Sequence, residues 1–162
     1  MRFWQKKQPP KATDTNTPSL ATGSSRVPMA DTIRKKAKVA IFDDAAEIIE
    51  AYSVFLGASD VLIVSREPVF SVSDALMVFC SKKPDFVITD LSLTDGGTEG
   101  FEILAQIRSI APDIPVVLTS SAYSYNSTND ICLEIRAKGY DAVFEKSDGN
   151  GIAEFVSSKF SS

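Results

Sequence analysis

The chain has 162 residues, of which 44% are hydrophobic and 23% charged, a composition that suits one globular domain and excludes collagen-like and wholly disordered polymers. Its formal net charge of −4 conceals a division: residues 1–37 hold eight Lys and Arg against two Asp, whereas residues 38–162 hold nine basic against nineteen acidic residues. The acidic part is therefore a poor binder of nucleic acid, and the absence of histidine excludes Ser-His or Cys-His catalysis and histidine metal sites.

The first segment of the chain, residues 1–36, is basic and rich in Pro, Ser and Thr, and it shows neither helical nor strand periodicity. Such a segment cannot bury enough apolar surface to offset the entropy of ordering. We therefore predict a flexible extension over residues 1–36 and a folded domain over residues 37–162. No apolar run reaches the roughly 20 residues of a membrane span, and the start lacks a secretory signal, so we expect a cytoplasmic protein.

Short apolar runs alternate with amphipathic segments throughout the predicted domain. Strands are predicted at residues 38–43, 61–65, 85–90, 115–120 and 142–146. Helices are predicted at residues 46–56, 73–79 with flanks, 101–111, 131–138 and 151–160. Strands that alternate with helices in this way predict an α/β fold with a doubly wound parallel sheet. We place both cysteines, Cys80 and Cys132, on apolar helix faces and expect reduced core thiols.

Polar side chains recur at the carboxyl ends of the predicted strands, where doubly wound sheets bind their ligands. These residues are Asp43, Asp44, Asp90, Thr119, Ser120 and Lys146. Clustered carboxylates either take up protons or hold a cation, and a hard ion such as Mg²⁺ prefers oxygen ligands. A hydroxyl and an ammonium group beside such an ion could hold a phosphoryl group. In such a site the nucleophile can only be a carboxylate, which would form an aspartyl phosphate.

Taken in order, these residues resemble the receiver domain of bacterial response regulators, of the stand-alone chemotaxis-regulator type. The resemblance covers residues 38–160 and rests on Asp43-Asp44 after the first strand, Asp90 after the third, Ser120 after the fourth and Lys146 after the fifth. It implies a flavodoxin-like five-stranded sheet in the order 2-1-3-4-5. It also implies a two-component phosphorelay protein that is not an enzyme beyond self-catalysed phosphotransfer and dephosphorylation.

The resemblance assigns a role to each of these residues. Asp90 would be the phosphoacceptor, Asp44 a direct Mg²⁺ ligand, Asp43 an indirect one through water, and the backbone carbonyl of Ser92 a further protein ligand. Ser120 would bond a phosphoryl oxygen in the active state, and Lys146 would pair with the same group. Thr119 would replace Ser120 if the fourth strand ended one residue sooner.

The sequence departs from the family pattern around the site. Thr94 stands where a proline is usual, and Gly100 comes about two residues late. The loop after Ser120 is longer by about four residues. Ser147 stands where the family commonly has a cis proline, and Val143 stands at a switch position that is often aromatic.

Three functions remain open from the sequence. A receiver would accept a phosphoryl group from a histidine kinase or a histidine phosphotransfer protein. With no output domain after Phe160, we expect its readout to be a protein that docks on the face of helix 4, strand 5 and helix 5. The rival is a binding module that works without phosphorylation, which Val143 and the longer loops favour. A Mg²⁺ hydrolase of the haloacid dehalogenase type is weaker, because it needs a second Asp where Ser92 stands.

Overall fold

The computed structural model describes residues 35–160, so the predicted extension lies outside the described residues except for its last two. Five strands alternate with five helices in this part of the chain: β1 (Ala37–Phe42), α1 (Ala46–Leu56), β2 (Val61–Ile63), α2 (Val72–Lys82), β3 (Phe86–Asp90), α3 (Glu99–Ile110), β4 (Val116–Ser120), α4 (Asp130–Ala137), β5 (Ala142–Glu145) and α5 (Gly149–Phe160). Each strand is short and apolar, as the sequence predicted.

All five strands form one parallel sheet in the order β2-β1-β3-β4-β5. This confirms the predicted α/β class and the strand order 2-1-3-4-5. The register pairs Phe42 of β1 with Thr89 of β3, and Asp90 of β3 with Thr119 of β4. The residue after Phe42 therefore emerges beside Asp90, which brings the polar strand ends together at one edge of the sheet.

The two faces of the sheet are covered by different helices. On one face, Phe42 and Val87 pack with Phe79 of α2 and Ile103 of α3. On the other face, alternate strand residues pack with α1 and α5, including Ile88. Residues that alternate along a strand point to opposite faces, so strands buried on both sides must be apolar throughout.

Local sequence signals set several helix ends. The Ser71 side chain accepts a hydrogen bond from the backbone N–H of Asp74 at the start of α2, and the Asn129 side chain does the same for Cys132 at the start of α4. Beyond α4, Gly139 has a φ of 84°, which a residue without Cβ adopts at no steric cost.

The two cysteines differ in environment. Cys132 is buried, as predicted, but Cys80 is exposed, so its prediction as a core thiol was wrong. The inward-facing residues of α2 are Ala75 and Phe79, and Cys80 follows Phe79 by one residue, which rotates it by about 100° around the helix.

Candidate phosphoacceptor site

Three carboxylates meet where β1 and β3 end. Asp43 and Asp90 are 1% and 5% exposed, whereas Asp44 is accessible to solvent. One oxygen from each carboxylate lies within 4.8 Å of the others. The parallel register of β1 and β3 produces this cluster, because it brings the ends of the two strands side by side.

The Asp43 carboxylate is only partly satisfied by its neighbours. Its Oδ1 accepts a hydrogen bond of 2.9 Å from the backbone N–H of Ala45. Its Oδ2 lies 3.0 Å from Lys146 Nζ, an ion-pair distance, but this buried oxygen makes no well-formed hydrogen bond. Burial raises the pKa of Asp43 to about 6, and the nearby Asp90 charge adds to the rise.

Asp90, the predicted phosphoacceptor, is held through both carboxylate oxygens. The backbone N–H of Leu91 donates to Oδ1 at 2.7 Å, and Lys146 Nζ donates to Oδ2 at 2.6 Å. Burial raises the pKa of Asp90, although the hydrogen bond and the charge of Lys146 oppose the rise. The carboxylate is therefore fixed in orientation and poorly solvated.

Lys146 bridges the two buried acids from the far side of β4. Burial lowers its pKa, but the hydrogen bond to Asp90 and the charges of Asp90 and Asp43 outweigh burial and raise it overall. The side chain therefore stays an ammonium group at neutral pH, and it neutralises part of the negative charge of the cluster.

The two hydroxyl residues at the end of β4 occupy different places. Ser120 lines an open cleft that also exposes Asp90 and Ser92. Its Oγ accepts a hydrogen bond of 3.1 Å from the backbone N–H of Ala122, and its hydroxyl donates no hydrogen bond to any of the described residues. Thr119 is buried below the cleft, close to the Tyr52 hydroxyl. This arrangement favours Ser120 over Thr119 as the phosphoryl-binding hydroxyl, which stays a prediction.

The loop between β3 and α3 is organised by Glu99, which the sequence did not single out. Its carboxylate accepts hydrogen bonds from the backbone N–H of Leu93 at 3.1 Å and from the Thr94 hydroxyl at 2.5 Å, and the Thr94 bond lowers the pKa of Glu99. The Ser92 hydroxyl donates to the Thr94 carbonyl and accepts from the Gly97 N–H. Hydrogen bonds thus shape this loop at the place where Thr94 replaces a proline.

Gly100 allows α3 to approach β3 closely. A Cβ atom at this position would lie 2.4 Å from the Asp90 carbonyl oxygen, which is closer than real atoms come. The Gly100 N–H also donates to the Leu91 carbonyl at 2.9 Å. Gly100, which comes about two residues later than in the family pattern, therefore allows α3 to pack closely on the end of β3.

Tyr52 is the second residue that the sequence did not single out. It lies on α1, is 2% exposed and donates its hydroxyl to the Lys146 carbonyl at 2.9 Å. Burial raises its pKa to about 12, so the hydroxyl keeps its proton at neutral pH. In the sequence, Tyr52 appeared only as one apolar residue of a helical pattern.

The site suits a hard divalent cation. Asp43 Oδ2 is buried without a hydrogen bond, and the Asp44 side chain makes no hydrogen bond or ion pair with the described residues. Three carboxylates this close repel one another unless a proton or a cation lies among them. An all-oxygen donor set of this kind fits Mg²⁺, with water completing its coordination.

The sheet order, the three strand-end carboxylates and the bridging lysine together define a receiver domain. The family model described as "Response regulator receiver domain" matches residues 39–146, and the chain belongs to this family. The matched range begins in β1 and ends at Lys146, so it spans every predicted site residue.

Solved structures share the fold at low sequence identity. The receiver domain of the putative response regulator NarL from Mycobacterium tuberculosis is 22% identical, with a TM-score of 0.61 over 75% of this chain and 94% of that chain. A CheY-like receiver domain protein from Methanospirillum hungatei is 17% identical, with a TM-score of 0.62 over 77% and 94%. A DNA-binding response regulator of the LuxR family from Staphylococcus aureus is 20% identical, with a TM-score of 0.61 over 75% and 97%.

A search of curated proteins gave no match. Among the described residues, no helix is both long enough and apolar enough to cross a membrane.

Proposed function

We propose that this protein accepts a phosphoryl group on Asp90 in a two-component phosphorelay, with a histidine kinase or a histidine phosphotransfer protein as donor. The observation that carries the proposal is the pairing of Lys146 with Asp90 at 2.6 Å beside two further carboxylates. An isolated buried aspartate would be costly, whereas this one is oriented by two donors and opens into a cleft.

In the proposed reaction, a carboxylate oxygen of Asp90 attacks phosphorus while the bond from phosphorus to the donor's imidazole nitrogen breaks and that nitrogen takes up a proton. The ligands of Mg²⁺ would be Asp43, Asp44, Asp90 and the Ser92 carbonyl. The bound ion would neutralise part of the negative charge on the phosphoryl oxygens. The Lys146 ammonium would pair with a phosphoryl oxygen. The unused hydroxyl hydrogen of Ser120 would donate to another. Water attack on phosphorus later releases inorganic phosphate and restores the carboxylate.

The test is a reaction with acetyl phosphate and Mg²⁺, read by intact mass. We expect one added phosphoryl group that is lost in Asp90→Asn and when Mg²⁺ is chelated. Asp95→Asn is a matched control, because Asp95 is an exposed acid of the same β3–α3 loop. Full labelling of Asp90→Asn would overturn the acceptor assignment. No labelling of the unaltered protein by any donor would favour the module that works without phosphorylation.

We place the downstream partner on the face formed by α4, β5 and α5, as in stand-alone receivers of the chemotaxis-regulator type. Leu133 of α4 is 50% exposed and Tyr125 of the preceding loop is 44% exposed, so this side of the domain offers apolar surface. The Tyr125 hydroxyl also bonds Asp148, two residues beyond Lys146. Once a partner is captured with the phosphorylated protein, Leu133→Lys should abolish its binding, and Met77→Lys on α2 should not. Equal effects of the two substitutions would exclude this face.

A further inference from the structure

The backbone of Lys146 is held from two directions. Its N–H donates to the Ser120 carbonyl of β4 at 3.2 Å, and its carbonyl accepts the hydrogen bond from the Tyr52 hydroxyl of α1. Immediately beyond, the Asp148 N–H donates to the Glu145 carbonyl at 2.9 Å and turns the chain away from β5. The Tyr52 bond is therefore the contact that ties the carbonyl side of Lys146 to a helix.

The side chain of Lys146 needs this support because its ammonium group must reach two acids at once. Nζ lies 2.6 Å from Asp90 Oδ2 and 3.0 Å from Asp43 Oδ2, on a residue that follows the last residue of β5. A long lysine side chain loses substantial rotamer entropy when fixed in this way, and a displaced backbone would move the ammonium group with it.

The residue after Lys146 makes a restraint on the backbone of Lys146 more important. Ser147 stands where the family resemblance leads us to expect a proline, so no ring restricts the backbone at this point. Serine leaves the turn more freedom, and an external hydrogen bond can restrain it instead. Tyr52 supplies such a bond from a buried position in the α1–α5 core.

A second hydroxyl lies next to Tyr52. Thr119 Oγ1 is fully buried and lacks a well-formed hydrogen bond, yet it is close enough to the Tyr52 hydroxyl to lower that group's pKa. The Tyr52 O–H donates to the Lys146 carbonyl, and the same oxygen remains able to accept a hydrogen bond from Thr119. The Tyr52 hydroxyl thus connects α1 to the end of β5, with the buried Thr119 hydroxyl of β4 nearby.

We propose that Tyr52 is a positioning residue for phosphoryl transfer: its hydroxyl fixes the Lys146 backbone so that the ammonium group stays on Asp90 and can follow the phosphoryl group. The inference rests on the proposed function of Asp90. The Tyr52 hydroxyl makes no hydrogen bond with Asp43, Asp44 or Asp90, so it acts on the site through the backbone of Lys146.

The test compares Tyr52→Phe with Tyr140→Phe in the full chain. Phenylalanine keeps the ring and removes only the hydroxyl in both variants. Tyr140 is the matched control, because its hydroxyl is also buried but has no hydrogen-bond partner among the described residues, and it lies at the opposite end of β5. We expect Tyr52→Phe to lower the maximal rate of labelling by acetyl phosphate roughly three- to tenfold, the effect of losing one ordinary hydrogen bond. The half-saturating Mg²⁺ concentration should not change, and Tyr140→Phe should match the unaltered protein.

A double-mutant cycle separates positioning from a general structural role. In a Lys146→Ala background, Tyr52→Phe should have no further effect on the labelling rate, because the group through which it acts is gone. A separate reading needs no phosphorylation: in the metal-free protein, the Lys146 amide should exchange its hydrogen faster in Tyr52→Phe and not in Tyr140→Phe.

The outcomes distinguish this inference from the proposed function. If the unaltered protein is never labelled but the Lys146 amide exchanges faster in Tyr52→Phe, the proposed phosphorylation of Asp90 is wrong and the backbone restraint by Tyr52 is right. Labelling of Tyr52→Phe at the full rate with unchanged amide exchange would overturn the positioning role and leave Asp90 as acceptor. Equal losses from Tyr52→Phe in both Lys146 backgrounds would show that Tyr52 acts through stability instead.

Discussion

At the scale of single residues, the site is a balance between burial and charge. Two nearly inaccessible carboxylates share one ammonium group, which leaves one negative charge in excess before Asp44 is counted. Buried charge without full compensation destabilises a fold. The site therefore lowers the stability of the metal-free protein, and binding of a cation or a proton raises it again.

Asp43→Asn should stabilise the metal-free protein at neutral pH. The folded-state pKa of Asp43 is raised to about 6 from 3.8, so the folded state holds its proton more tightly than the unfolded state. The contribution of Asp43 to the free energy of unfolding is then most favourable below about pH 4, falls as pH rises towards 6, and stays lower above that. Asparagine keeps the acceptor for Ala45 without ionising. We expect a gain at pH 7.5 of at most roughly 3 kcal/mol, from 1.36 kcal/mol per pKa unit.

Urea unfolding in a chelator at a series of pH values measures this effect. The gain should shrink towards zero by pH 4, whereas Asp95→Asn should follow the unaltered protein throughout. If Asp43→Asn is less stable at pH 7.5, the ion pair with Lys146 outweighs the burial of Asp43.

Asp44→Asn should separate metal binding from stability. The Asp44 side chain makes no hydrogen bond or ion pair within residues 35–160, so its charge can be removed at little structural cost. We expect Mg²⁺ affinity to fall at least about tenfold, the size of effect typical even of residues that support a metal indirectly. Calorimetric titration with Mg²⁺ and urea unfolding of the same preparation check the two halves. A large loss of stability with normal affinity would make Asp44 a structural residue.

At the scale of elements, the loop between β4 and α4 is held more firmly than its polar sequence indicates. Arg136 of α4 donates to the carbonyls of Ser124, Tyr125 and Ser127, at 3.3, 2.9 and 2.9 Å. The Tyr125 hydroxyl donates to Asp148 at 2.6 Å across the end of β5. The loop thus connects α4 to the segment after Lys146, and we expect a movement of Lys146 to reach α4 through these contacts.

Phosphorylation should therefore change amide hydrogen exchange most strongly between Ser121 and Lys138. Val143 packs with Leu118 and the inner face of α4, and its branched side chain is too short to move between two pockets. Val143→Ala should lower stability by about 1 kcal/mol or somewhat more, yet leave the exchange response largely intact. Exchange changes that centre on β5 and vanish in Val143→Ala would make Val143 the relay.

The elements were more predictable than the contacts of the site. Helix α1 has the predicted bounds, residues 46–56, and the strands differ from prediction by at most two residues at an end, because their signals are local. The strand-end acids could be predicted from topology, since parallel strands end at one edge. The Tyr52 bond to Lys146 spans 94 positions in sequence, and nothing local marks it. Cys80 was misplaced because a step of one residue, a rotation of about 100° around α2, separates it from the buried Phe79.

At the scale of the whole molecule, charge divides the chain near residue 37, which is also where β1 begins. The family match covers residues 39–146, which lie wholly on the acidic side of this division. The boundary predicted from composition, with an extension at residues 1–36 and the domain at 37–162, stays a prediction.

Removal of residues 1–34 should leave the thermal midpoint within about 2 °C of the full chain, because no element of the receiver fold is lost and small domains shift by several degrees per kcal/mol. Labelling of Asp90 by acetyl phosphate should proceed at the same rate in both forms. Thermal unfolding at low and at high salt provides the decisive comparison. If the shortened protein unfolds many degrees below the full chain at low salt but at the same temperature at high salt, the basic segment docks on the acidic domain. The predicted boundary would then not separate two independent parts of the chain.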